Sequence, residues 1–209
     1  YADILRSGLP VSVQSLFFSS LSMIIARLIA GWGDAAVAVQ KVGSQIESIS
    51  WMAADGFASA VNAFVAQNYG AKQPGRIRRG AAGAVVLMAG WGILTGALLI
   101  VFPQALFRIF IQEEAVLPMG VDYLRILGYS QLFMCMEITC TGAFQGLGKP
   151  MVPTVVSEIL NTARIPLALA LSATALSLNG VWWAITLSSI LKGLIMPVWV
   201  RGVLRLDLP

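Results

Sequence analysis

The stretch Gly80–Val101, GAAGAVVLMAGWGILTGALLIV, runs for 22 residues without a charged side chain. A bilayer's hydrocarbon core is roughly 30 Å thick, and a helix needs about 20 mostly apolar residues to cross it. The run is preceded at once by Lys72, Arg76, Arg78 and Arg79. An apolar span with a basic flank is the pattern of a membrane helix held at the cytoplasmic face.

Counting back a few residues, this helix covers about Ile77 to Val101, and five neighbours have comparable length. The first runs from about Pro10 to Gly31, with Ser7 as its cap and Pro10 in its first turn. The second runs from Ala35 to about Gln67. The fourth covers Val116 to about Leu147, with Pro118 and Gly128 as expected irregularities. The fifth covers Met151 to about Leu176 around Pro166, and the sixth Gly180 to about Val200 with Pro197 near its end. Between the third and fourth, Pro103–Gln112 alternates apolar and polar residues and suits a short helix lying in the interface. The expectation is an all-α polytopic membrane protein with six transmembrane helices.

Composition agrees. Of the 209 residues, 57% are hydrophobic and 11% charged, against about 25% charged in soluble domains. Lipid accepts that apolar surface outside as well as inside. The net charge of +4 is therefore a matter of topology and implies no nucleic-acid partner. The basic residues gather at both ends (Arg6, Arg201, Arg205), in the 72–79 loop and at Lys149. The loops Gly31–Asp34 and Ser177–Asn179 have none. The positive-inside rule then places both termini on the cytoplasmic side of the plasma membrane.

Several chemistries drop out. The chain has no histidine, which removes Ser-His-Asp and Cys-His catalysis and histidine metal sites. Cys135 and Cys140 are five apart on an apolar helix and read as small core residues, not a disulfide. Gly31-Trp32-Gly33-Asp34 imitates an intramembrane aspartyl protease motif. It sits at the membrane surface, without a second aspartate at matching depth. No enzyme, resident metal or cofactor is expected. Trp32 and Trp199 suit interface anchors. The pairs Gly92/Gly96 and Gly142/Gly146 suit close helix packing.

The second helix is the most informative. At 100° per residue, Gln40, Ser44, Glu47, Ser48, Trp51, Asp55, Ser59 and Asn62 fall in a sector of about 120°. Ile46, Ile49, Ala53, Phe57, Val61 and Phe64 occupy the other side, which is expected to face lipid. Acids at bilayer depth cost roughly 2.5–3.5 kcal/mol each and usually face a bundle interior or a wet cavity. Glu47 and Asp55 are thus candidate proton carriers or cation ligands. The plainer reading is that Glu47 pairs with a buried base, among Arg27, Lys41, Arg164 and Lys192, and only joins helices. Glu137 in the fourth helix, and Glu158 and Arg164 in the fifth, either form an interhelical network or line the same cavity as Glu47.

Three stretches carry a family resemblance. Val65-Ala66-Gln67-Asn68-Tyr69-Gly70-Ala71, with the basic loop after it, resembles the end of the second helix of a lobe in multidrug and toxic-compound extrusion (MATE) exporters. Gly142-Ala143-Phe144-Gln145-Gly146-Leu147-Gly148-Lys149-Pro150 resembles the join of that lobe's fourth and fifth helices. Arg164-Ile165-Pro166-Leu167-Ala168 resembles part of its fifth. The resemblance covers nearly the whole chain and fits the C-terminal lobe best.

It implies a twelve-helix transporter of two six-helix lobes, with residues 1–209 forming one lobe of a longer chain. The partner is then the N-terminal lobe of the same chain, or a second copy. It also implies export of drug-like organic cations and amphipathic compounds in exchange for protons or sodium, through a cavity between the lobes. Several relatives carry an ion-coupling carboxylate on the first helix of this lobe. Here that helix has no acid, and its one charge at depth is Arg27. The coupling acid is accordingly expected at Glu47 or in the other lobe. Two rival readings are a lipid-linked saccharide flippase or polysaccharide exporter, which would want several basic residues in the cavity, and a non-transporting scaffold with paired charges and no cavity.

Overall fold

A computed structural model describes Leu16 and residues 19–206. Arg6, Ser7 and Pro10 lie outside the described residues, as does the side chain of Arg205. The described chain is all-helical: α1 (Ser19–Ala30), α2 (Asp34–Gly70), α3 (Pro74–Val101), α4 (Pro103–Arg108), α5 (Leu117–Gly128), α6 (Gln131–Gly146), α7 (Met151–Ser172) and α8 (Leu178–Leu206). Of these, α3, α7 and α8 are long and apolar enough to cross a membrane by length and composition. α2 has 37 residues, about 55 Å at 1.5 Å per residue, and so exceeds the bilayer core.

The helix ends follow local chemistry. Pro74, Pro103 and Pro118 each sit in a first helical turn, where a missing N–H costs nothing. Pro118 therefore starts a helix instead of disturbing one. After α6, Gly148 takes φ +71°. The Lys149 N–H then donates to the Phe144 carbonyl at 3.0 Å and the Gly148 N–H to Gln145 at 2.9 Å. This is a Schellman closure, and glycine is the residue that adopts its left-handed position without strain. α2 closes the same way with Lys72 at φ 53°, where the Gln73 N–H reaches the Asn68 carbonyl at 2.9 Å.

The expected fourth helix is two helices, α5 and α6, broken at Tyr129-Ser130. The Ser130 N–H turns back to the Leu127 carbonyl at 3.0 Å, and the Ser130 hydroxyl donates to the same carbonyl at 2.8 Å. A serine side chain competing for a helix carbonyl is a recognised cause of such a bend. Within the expected Pro103–Gln112 segment a short helix forms, α4, six residues long.

α6 is the centre of the bundle, in contact with α2, α3 and α8, while α7 packs on α8. The glycine pairs make those approaches possible. A Cβ on Gly142 would press on the Ala58 backbone and one on Gly146 on the Asn62 carbonyl, so α6 rides against α2. Gly92 meets the Leu132 backbone and Gly96 the Gly128 carbonyl, so α3 rides against the α5–α6 bend. Both cysteines are buried and free.

Two apolar cores occupy the two ends of the bundle. One gathers Val39, Phe107, Tyr123, Leu124 and Trp182, and the other Val65, Ile77, Phe144, Met196 and Val200. A small separate cluster holds Ala54, Met88 and Cys135. Buried polar residues include Gln131 at the start of α6, Glu137 in its middle, and Ser188, Ser189 and Lys192 in the middle of α8.

Candidate functional site

α2 presents its polar residues differently from the two-sided helix expected. Its buried stripe runs through Ala36, Val39, Gly43, Ile46, Ser50, Ala54, Ala58, Val61 and Val65. Ile46 and Val61, expected to face lipid, are therefore inside the bundle, whereas Ile49 is 67% exposed. The stripe lies between the two predicted faces because small residues there admit α6. The polar sector flanks that stripe: Ser44, Trp51, Asp55 and Ser59 are exposed, and Gln40, Glu47, Ser48 and Asn62 half-buried.

Glu47 is held by neutral donors. The Tyr123 hydroxyl donates to Oε2 at 3.3 Å and Gln131 Nε2 donates to Oε1 at 3.1 Å. None of the four bases considered from sequence makes an ion pair with it among the described residues. Arg164 is within electrostatic reach of both Glu47 and Glu137. Tyr123 is fixed in turn by an edge-on contact with Trp182, ring centroids 5.2 Å apart. Trp182 Nε1 donates to Gln40 Oε1 at 3.0 Å. So Gln40 and Glu47 belong to one network bridging α2, α5, α6 and α8.

Glu137 belongs to a second network. It forms an ion pair with Lys192 at 3.1 Å, both side chains nine-tenths buried. The Ser157 hydroxyl donates to its other oxygen at 2.9 Å. Arg164 Nη2 donates to Ser189 at 3.0 Å, and its Nε to Ser188. Glu158 is half-buried nearby, its Oε2 without a hydrogen-bond partner among the described residues.

The second set borders a cleft of about 220 Å³ between α2, α6 and α7, lined by Asp55, Ser59, Glu137, Thr141, Gln145 and Ser157 among others. Asp55 and Glu137 thus face one space. Ser44 spends its hydroxyl on the Lys41 carbonyl of its own turn, at 2.8 Å. Trp51 is 43% exposed and lies outside both networks. The Asn62 backbone serves as the seat of Gly146.

Tyr123, Gln131, Trp182, Ser157, Ser188 and Ser189 were not singled out from sequence. Gln131, a wholly buried amide at the head of an apolar helix, carried a usable signal, since such groups are placed in membranes only where a partner waits. Asp34, the acid of the protease-like motif, is exposed at the start of α2. Trp32 beside it donates to the Ser177 hydroxyl at 2.9 Å, tying the α1–α2 and α7–α8 turns together.

The MatE family model matches residues 10–170. The chain belongs to the MatE family. The "Probable multidrug resistance protein NorM" of Thermotoga maritima is 28% identical over 210 residues, covering 98% of this chain and 42% of that protein. The "Probable multidrug resistance protein YoeA" of Bacillus subtilis is 27% identical over 186 residues, covering 86% and 39%. Among solved structures, the inward-facing conformation of a multidrug resistance MATE family transporter of the MOP superfamily matches with TM-score 0.86 at 21% identity, over 98% of this chain and 48% of that one. The Vibrio cholerae MATE transporter VcmN in its bent form matches with TM-score 0.86 at 22% identity, over 94% and 45%. This MatE chain therefore spans less than half the length of these relatives. It is a membrane protein with the all-helical fold of about half a MATE transporter.

Proposed function

We propose that residues 1–209 form one lobe of a multidrug exporter, paired with a second lobe of the same chain or with a second copy. The observation that carries this reading is the exposed polar face of α2. Ser44, Trp51, Asp55 and Ser59 project from α2; Ser44 and Ser59 place their hydroxyls on carbonyls of their own helix, but lipid offers the Trp51 indole N–H and the Asp55 carboxylate no partner. A water-filled cavity closed by another lobe does. An intact mass of the native protein near twice that of this chain supports a covalent pair of lobes. A mass near 22.3 kDa requires a dimer.

Efflux is coupled, on this reading, to entry of a proton or sodium ion, with Glu47 as the coupling group. A deprotonated carboxylate in a cavity attracts an organic cation, and protonation removes that attraction and favours release. Neutral donors support the assignment, because Tyr123 and Gln131 hold the carboxylate without cancelling its charge. Asp55 supplies negative lining to the cleft between α2, α6 and α7, which it shares with the Lys192-paired Glu137, and Glu158 and Arg164 stand on α7. The basic loops favour the cytoplasmic side for both termini.

Glu47→Gln in the intact protein is expected to lower drug efflux about ten-fold or more and to flatten its pH dependence, as loss of a typical coupling energy would. Unchanged efflux with unchanged pH dependence would remove Glu47 from the mechanism. The flippase reading needs free basic groups gathered in one cavity. Instead Lys192 is tied to Glu137, Arg164 to two serines, and Arg27 lies in a separate apolar cleft against α7.

A further inference from the structure

Lys192 is a buried cation that coupling through Glu47 leaves unused. It projects from α8 and meets Glu137 Oε2 at 3.1 Å. An ammonium carries three donors, and Lys192 has no second residue within hydrogen-bonding distance among those described. Two acceptors on α7 are also unmatched. Glu158 Oε2 and Asn161 Oδ1 are buried atoms without a hydrogen-bond partner among the described residues. Asn161 as a whole is 5% exposed.

Helix geometry brings these groups to one level. Residues 158, 161 and 164 lie three apart and share a face of α7. That face is turned to α8, because Arg164 donates to Ser188 and Ser189 there. Joined by residues 173–177 and packed on each other, α7 and α8 run antiparallel. Stepping back a turn from Arg164 on α7 therefore matches stepping forward a turn from Ser188 on α8. This sets Lys192 level with Asn161, and Glu158 one turn beyond. Lys192 is within electrostatic reach of Glu158, yet the two form no ion pair among the described residues.

Glu137, in turn, is a wall of the cleft that holds Asp55. The Ser157 hydroxyl occupies its Oε1 at 2.9 Å, so Oε2 is the atom open to exchange. The acids here, Asp55, Glu137 and Glu158, outnumber the bases, Arg164 and Lys192. One added positive charge balances them.

We propose that this cleft binds the ammonium head of a protonated organic amine on Glu137, in exchange for Lys192, which passes to Glu158 and Asn161. Lys192 is then an internal stand-in for the substrate. It keeps Glu137 from standing as an uncompensated buried charge while the cleft is empty. Its move to α7 joins donors and acceptors that the empty state leaves unmatched. A ligand must carry both a positive charge and an N–H, since it replaces an ammonium. The proposal rests on the multidrug-export reading, but on Glu137 and not on Glu47.

The test titrates the intact native protein in detergent with benzylammonium, benzyltrimethylammonium and benzyl alcohol, read by calorimetry. Benzylammonium is expected to bind at least about five-fold tighter than the other two. Glu158→Gln is expected to weaken benzylammonium about ten-fold, a typical coupling energy, and Glu158→Asp to restore most of that loss. A Glu158 that serves structure alone would lower the unfolding temperature and weaken all three ligands alike. In Lys192→Met, where Glu137 has no competitor, benzylammonium is expected to bind tighter than to the parent, and added Glu158→Gln to change nothing further. If Lys192→Met does not fold, Asn161→Leu decides, with an expected loss of about five-fold from removal of the second acceptor. Parent affinity in both Glu158→Gln and Asn161→Leu overturns the exchange, as does equal binding of benzyl alcohol or of the quaternary ammonium. The same ten-fold loss from Glu158→Gln in the Lys192→Met background overturns it too. Efflux separates this from the transport reading: a parent that exports organic cations while these variants bind as it does keeps the exporter and loses the exchange, and a parent that neither binds nor exports them loses both.

Discussion

Lys192→Met is expected to destabilise the protein by about 3–5 kcal/mol, a fall of roughly 10 °C or more in unfolding temperature for a chain of this size. The reason is what it leaves behind. Lys192 and Glu137 are each nine-tenths buried and 3.1 Å apart. Removing the ammonium leaves a carboxylate among α6, α7 and α8 without its ion-pair partner, hydrogen-bonded by the Ser157 hydroxyl. Two buried charges already desolvated stabilise a fold little as a pair, whereas one without the other is a heavy penalty. Glu137→Met in the Lys192→Met background is accordingly expected to return stability to within about 1 kcal/mol of the parent.

Thermal unfolding of the parent, both single variants and the double variant closes this cycle. It also bears on the cleft, because Glu137 lines the same space as Asp55. A Lys192→Met protein as stable as the parent would mean that water reaches Glu137 and solvates it. The pair would then be a wet cavity lining and not a structural joint.

Gly142→Leu is expected to cost about 3 kcal/mol or to abolish folding in the membrane. A Cβ there would lie 2.9 Å from the Ala58 carbonyl carbon and 3.0 Å from its Cα. Backbone cannot step aside as a flexible side chain can, so α2 and α6 must separate. Separation would break the seat of Gly146 on Asn62 one turn further on. It would also move Glu47 away from Gln131, which projects from the start of the same α6. Gly83 is the control. A Cβ there meets nothing within 4 Å, so Gly83→Ala is expected to be neutral or to stabilise α3 by up to about 1 kcal/mol. Equal stability of Gly142→Leu and Gly83→Ala variants would show that the α2–α6 contact is not the tight joint described.

Much of the architecture was legible because membrane helices announce themselves. Gly80–Val101 could cross a bilayer on composition alone, and the glycine pairs were readable as contact points because no other residue lets backbones approach so closely. The bend at Tyr129-Ser130 was not legible. Both residues keep right-handed helical angles, and what ends the helix is a competition for one carbonyl that no periodicity records. The face of α2 was legible only in part. Angular position grouped the polar residues, but burial followed the small residues Gly43, Ser50, Ala54 and Ala58, which polarity ranking overlooks.

The sequence by itself determined the class of solvent, the helix count to within a bend, and the positions of the acids along the chain, since each follows from hydropathy over about 20 residues or from helical angle. Only the tertiary structure decided which groups those acids meet. Glu47 finds Tyr123, 76 residues away, and Gln131, 84 away, while Glu137 finds Lys192 on another helix. Such pairings depend on the rotation and depth at which α6 packs against its neighbours. Those are set by the steric fit of glycines against facing backbones, a property of two helices together that neither carries alone.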